Sequence, residues 1–94
     1  MSATPYLYSS PDYIHNAAIV GDLNIMALDP KGQNRMCRRI SCNGPSIGNV
    51  ATLVVTRGDG TNQTLTIVGG SSLEIQARAI VAAGTTATNV CVYW

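Results

Sequence analysis

Alternation between Leu73 and Trp94 constrains this chain more than any other feature. Leu73, Ile75, Ala77, Ala79 and Val81 are apolar at every second position, with Glu74, Gln76 and Arg78 between them. Successive side chains of a strand point to opposite faces, so this is a strand with one face in a core and one in water. Ala83-Gly84-Thr85-Thr86-Ala87-Thr88 makes a polar loop, and Asn89 to Trp94 returns with Val90, Val92 and Trp94 on one face. The pattern predicts a long paired hairpin closing the chain, with Leu73, Ile75, Ala77, Ala79, Val90 and Val92 buried and no catalytic group in it.

Earlier segments read as shorter pieces of the same kind. Val50 to Arg57 is rich in β-branched residues, Gly58-Asp59-Gly60 is a hairpin signal, and Thr61 to Val68 comes back with Leu65 and Ile67 on one face. Gly69-Gly70 then turns the chain. Asp22 to Leu28 and Arg35 to Cys42 fit two more strands, separated by Asp29-Pro30-Lys31-Gly32, a turn with Asp first, Pro next and Gly last. Asn43-Gly44-Pro45 ends the second of them. Ser10-Pro11-Asp12 resembles a helix start, so residues 11–20 are either a short helix or, from Ala17 to Val20, a strand. Prolines and small polar residues before them, with Tyr6, Leu7 and Tyr8 as apolar anchors, predict an extended arm over residues 1–21. Strands and turn signals at close spacing over residues 22–94 predict a single all-β domain, a small antiparallel sandwich or jelly-roll-like barrel of about six to eight strands.

Size and charge point to association. A chain of 94 residues buries only roughly 60–65% of the surface its unfolded form exposes, so partner subunits are expected to contribute to its stability. Charged residues are 12% of the chain, about half the usual share, which leaves the surface poorly defended against contact. The net charge of +1 gives no support to nucleic-acid binding. No apolar run approaches membrane-spanning length, and the N-terminus lacks a signal pattern, so no membrane partner is expected and synthesis is expected in the cytoplasm.

Groups that could carry chemistry are sparse. Asp12, Asp22, Asp29, Asp59 and Glu74 are scattered, and three of them flank a turn glycine or proline, so turn and surface roles explain them better than paired catalysis. His15 has no nucleophile or carboxylate context. Cys37, Cys42 and Cys91 form no C-x-x-C pair, and they read as free thiols without a metal. No phosphate-cradling loop is present, and no cofactor is expected. Arg57-Gly58-Asp59 spells an integrin-binding tripeptide at a hairpin tip, where Gly and Asp are also required by backbone geometry alone. Lys31, Arg35, Arg38 and Arg39 cluster within nine positions, but on a strand Arg38 and Arg39 point to opposite faces, so the cluster reads either as ordinary rim charges and salt bridges or as a dock for an acidic protein surface.

From about Ala27 the order of segments resembles the small β-rich head-spike base proteins of tailed phages and gene transfer agents. The likeness is carried by Arg38-Arg39-Ile40 with Asn43-Gly44, by Ala51-Thr52-Leu53-Val54-Val55-Thr56, and by Thr64-Leu65-Thr66-Ile67 before the glycine pair. It continues through Leu73 to Val81 and Ala83 to Val90, ending in an aromatic at the C-terminus. This chain departs from that pattern at Ala79-Ile80-Val81, where an aromatic is expected, and in its tyrosine-bearing arm. The resemblance implies a non-enzymatic virion structural protein, a capsid-surface spike base or decoration protein that forms homo-oligomers. Its implied partners are itself, a major capsid protein and, where a fibre is carried, a fibre protein. Its implied location is the virion. The expected subunit and capsid interface comprises Tyr6, Leu7, Tyr8, Tyr13, Arg35, Arg38, Arg39 and Trp94. A tail or baseplate adaptor and a small carbohydrate- or receptor-binding sandwich module are the alternatives.

Overall fold

Val50 to Arg57 forms the strand around which the second of two sheets is built. Its β-branched residues favour extended backbone, and Ala51, Leu53 and Val55 face inward and are buried. The computed structural model describes residues 13–94. The strands are β1 (Tyr13–Asn16), β2 (Leu23–Asn24), β3 (Arg39–Gly44), β4 (Val50–Arg57), β5 (Asn62–Val68), β6 (Ser72–Leu73), β7 (Ala77–Ile80) and β8 (Thr88–Tyr93). They form two four-stranded antiparallel sheets, ordered β1-β8-β3-β6 and β2-β7-β4-β5. This is a β-sandwich. Ile40, Cys42, Val90 and Val92 from the first sheet meet Leu53, Val55, Ile67 and Ile80 from the second in one core, which Ile25 and Trp94 join.

Among the described residues only β4 and β5 are joined as a local hairpin, and every other connection crosses from one sheet to the other. The expected terminal hairpin is therefore absent. Residues 72–73 belong to the first sheet beside β3, whereas Ala77–Ile80 lie in the second beside β4 and β2. The strand foreseen from Leu73 to Val81 is two strands in different sheets. Its core face also changes phase. A bulge between Thr56 and Arg57 in the β4–β7 ladder sets Ala79 opposite Thr56 and Ala77 opposite Arg57. That extra residue on β7 brings Ile80, not Ala79, into the core beside Ala77. Leu73 and Ile75 are half-buried, while Val90 and Val92 are fully buried as expected.

Tyr13–Asn16 is an edge strand paired with β8, so the segment expected as an arm enters the sheet well before residue 21. Neither the helix over residues 11–20 nor the strand over Ala17–Val20 forms among the described residues. Asp22 to Leu28 gives only a two-residue strand followed by a 3₁₀ turn at Met26–Leu28. The first-sheet strand expected from Arg35 begins at Arg39 and runs through Gly44.

What occupies residues 29–35 instead is a closed loop. The Gly32 N–H donates to the Asp29 carbonyl at 2.9 Å, as the turn sequence requires. The buried Asp29 carboxylate accepts from the backbone N–H of Lys31 and of Arg35, and from Nε and Nη2 of Arg35, at 2.8–3.0 Å. The Arg35 fork holds this carboxyl well below the usual aspartate range, against the opposing effect of burial. A carboxyl with a folded pKa below its unfolded value of about 3.9 adds stability above that pH and loses it as pH falls through the folded pKa. Asp29→Asn is therefore expected to be less stable than wild type near neutral pH, with the gap shrinking in acid. Urea unfolding near pH 7 and near pH 2.5 measures this; a gap independent of pH would show that the carboxylate charge is not what closes the loop.

Candidate functional site

The outer face of the first sheet collects aromatic, basic and nucleophilic side chains from strands distant in sequence. Inward residues of β8 and β3 alternate with outward ones, so Cys91 and Tyr93, and Arg39, Ser41 and Asn43, face away from the core. The register sets Tyr13, Tyr93 and Arg39 in one row across β1, β8 and β3. A second row holds His15, Cys91, Ser41 and Ser72. In the first row the Arg39 guanidinium carbon lies 4.1 Å from the Tyr93 ring centroid. Tyr13 sits beside Tyr93, ring centroids 5.6 Å apart and planes tilted by 32°. The Ser41 hydroxyl donates to the Tyr93 hydroxyl at 3.4 Å.

A guanidinium over an exposed ring gains about 0.5–1 kcal/mol. Its larger consequence is positional: the charge is held flat on the sheet, with N–H groups at its edge free to turn toward a carboxylate. A shallow depression beside the row is lined by Arg39, Ser41, Ser72, Cys91 and Tyr93, and a smaller one by Arg38, Arg39 and Glu74. Both are open surfaces suited to contact with another macromolecule.

Of the residues expected at an interface, Tyr13 and Arg39 come together here and Arg38 lies at the margin. Arg35 does not: its guanidinium is committed to Asp29, and its carbonyl accepts from Trp94 Nε1 at 2.9 Å. Trp94 is 5% exposed and belongs to the core. Trp94 is therefore turned inward within its own subunit, whereas Arg35 stays part-exposed while paired with Asp29. Tyr6, Leu7 and Tyr8 lie outside the described residues. Tyr93 was missing from the expected set, although β8 alternation already puts it on the face opposite Trp94.

The acidic residues in the described part of the chain mostly organise backbone. Asp22 accepts from the Ala82 N–H at 2.9 Å, tying the start of β2 to the chain just past the end of β7, at one end of that pair. Asp59 accepts from the hydroxyl and the N–H of Thr61, which hold its carboxyl below the ordinary value. With Gly60 at φ 89° and its N–H donating to the Arg57 carbonyl, the Arg57-Gly58-Asp59 tip is built as a turn. Cys37 and Cys42 are buried thiols whose pKa values are raised by desolvation. Cys42 faces the core while Cys91, on the adjacent strand, faces outward. Among the described residues no three His, Cys, Asp or Glu side chains converge on a point that could hold a metal ion.

Fold and face together define a small antiparallel β-sandwich with an aromatic–arginine outer row. No protein-family model, curated protein or solved structure matches the chain.

Proposed function

We propose that this chain is a non-enzymatic virion structural protein, a capsid-surface spike base or decoration protein that associates with its own copies. In this reading it docks on a capsid protein through the outer face of its first sheet. The observation that carries the reading is the Tyr13–Tyr93–Arg39 row. Three side chains from three strands spend an exposed surface on stacked rings and a flattened guanidinium, the residue types enriched at protein interfaces. A chain with only 12% charged residues adds to it, as does the resemblance of its segments to head-spike base proteins. An acidic patch on the shell is the complement that Arg39 and the neighbouring Arg38 would meet. The alternative of a carbohydrate-binding module fits the face less well. Sugar stacking needs an open ring, whereas Arg39 covers one side of Tyr93 and Trp94 is buried.

Immunogold labelling of purified particles, with antibody raised against this chain, tests the proposal. Label over the capsid surface is expected; label confined to the tail would favour an adaptor, and particles free of the protein would overturn the virion reading. Arg39→Ala is expected to keep the fold, at a cost of about 0.5–1 kcal/mol, while lowering the amount of protein carried by each particle. Unchanged occupancy in particles made with this variant would remove the outer row from the docking surface.

A further inference from the structure

We infer that β5 pairs antiparallel with β5 of a second copy, joining two second sheets into one continuous sheet about a two-fold axis at Leu65. The inference rests on the assembly reading above and names the contact between copies.

The β4–β5 register determines which backbone groups of β5 are available. The Arg57 N–H donates to the Thr61 carbonyl and the Gly69 N–H to the Asn49 carbonyl, at 2.7 and 2.9 Å. These two pairs frame the ladder in which Leu53 lies opposite Leu65. Hydrogen-bonded and non-bonded pairs alternate along an antiparallel ladder. Counting from either end, Gln63, Leu65 and Ile67 bond inward to β4, and Asn62, Thr64, Thr66 and Val68 turn their N–H and C=O outward. The Val68 carbonyl is already taken by the N–H and hydroxyl of Ser71, at 2.9 and 2.6 Å. Among the described residues no strand lies beyond β5, and the rest of the row faces that edge of the sheet.

Natural sheet edges are protected by charge, proline, a bulge or shortness. The β5 strand, Asn-Gln-Thr-Leu-Thr-Ile-Val, is seven residues long, has neither charge nor proline, and runs in unbroken register with β4. By contrast the edge strands β2 and β6 are two residues each, and β1 is four. A second β5 is the occupant that this edge suits. Two-fold pairing about Leu65 sets the outward groups of Thr64 against those of Thr66 in the second copy, and those of Asn62 against Val68. Donors meet acceptors in both directions at the Thr64–Thr66 pairs, and at the outer pairs the Val68 N–H meets the Asn62 carbonyl; threonine lies opposite threonine, a favourable cross-strand pair, and no like charges are brought together. Val50 and Val68, exposed at 67% and 38% on the adjoining outer face, add apolar surface next to the seam.

Size-exclusion chromatography with light scattering, run on the full chain across a concentration series, tests the pairing. Thr66→Lys places a charge on each side of the seam and leaves the β4 ladder intact, so dimerisation is expected to weaken at least about 100-fold. Thr64→Pro deletes an outward N–H that β4 does not use; it provides a second reading should the lysine variant misfold, and the same loss is expected. Far-UV circular dichroism should match wild type for the variant scored. A wild-type chain that stays monomeric throughout, or a folded variant that associates as wild type does, overturns the pairing. Surface label on particles together with association that ignores both substitutions leaves the virion reading standing without this seam. Unlabelled particles with a seam that responds as expected do the reverse.

Discussion

Trp94→Ala is expected to destabilise the fold by about 3–5 kcal/mol, the cost of emptying a buried aromatic site. For a chain of this size that is a large share of a total stability of about 5–15 kcal/mol. The indole is 5% exposed, continues the inward face of β8 after Val90 and Val92, and donates from Nε1 to the Arg35 carbonyl at 2.9 Å. It therefore ties the C-terminus to the end of the Asp29–Arg35 loop, and its removal should loosen both. Trp94→Phe separates the two contributions. The ring volume is largely kept while the hydrogen bond is lost, for a cost nearer 0.5–1.5 kcal/mol from the bond, roughly, plus the unfilled part of the ring site. Urea unfolding of the two variants beside wild type measures both. If alanine cost less than about 1 kcal/mol, the indole would not be a core group by the scale of buried aromatic truncations, and a docking role for it would return.

A second large effect is expected at the centre of the other sheet. Leu53 is fully buried on β4, which has β5 on one side and β7 on the other, and it lies directly across the ladder from Leu65. Leu53→Ala should cost about 2–5 kcal/mol, because the surrounding strands are held on both sides and cannot collapse into the cavity. Leu65 is half-buried on the edge strand, and Leu65→Ala should cost only about 1 kcal/mol, in proportion to the area it hides. The same chemical change on two facing residues thus reports which strand is central. Equal losses would mean that β5 is not an edge.

The elements legible in the sequence share one property: they are settled by neighbours a few residues away. The β4–β5 hairpin is one such element, with Val50–Arg57 recovered to the residue and its return strand to within one. Gly58-Asp59-Gly60 supplies the turn backbone, and the two strands it joins pair with each other. The Asp29-Pro30-Lys31-Gly32 turn is another, closed by its own first carbonyl. Alternation also sets Val90, Val92 and Trp94 on one face of β8, and the burial of Val90 and Val92 follows from it. The same alternation sets Tyr93 on the outer face.

Periodicity says which side of a strand is buried, but it carries no information about which strand lies alongside. For that reason Leu73–Val81 read as one strand paired with the next, although the chain changes sheet between Leu73 and Ala77 and a bulge then exchanges Ala79 for Ile80 in the core. Pairing partners come from packing two apolar faces against each other, and here that packing sends nearly every connection across the sandwich. Charge has the same blindness. Arg35 and Arg39 look equivalent in the sequence, yet one is bound by Asp29 in a closed loop and the other lies on Tyr93 at the surface. Local turn chemistry and strand faces were thus written in the chain itself. The sheet order, the bulge, the burial of Trp94 and the meeting of Tyr13, Tyr93 and Arg39 were decided by tertiary contacts, because each depends on residues brought together from far along the chain.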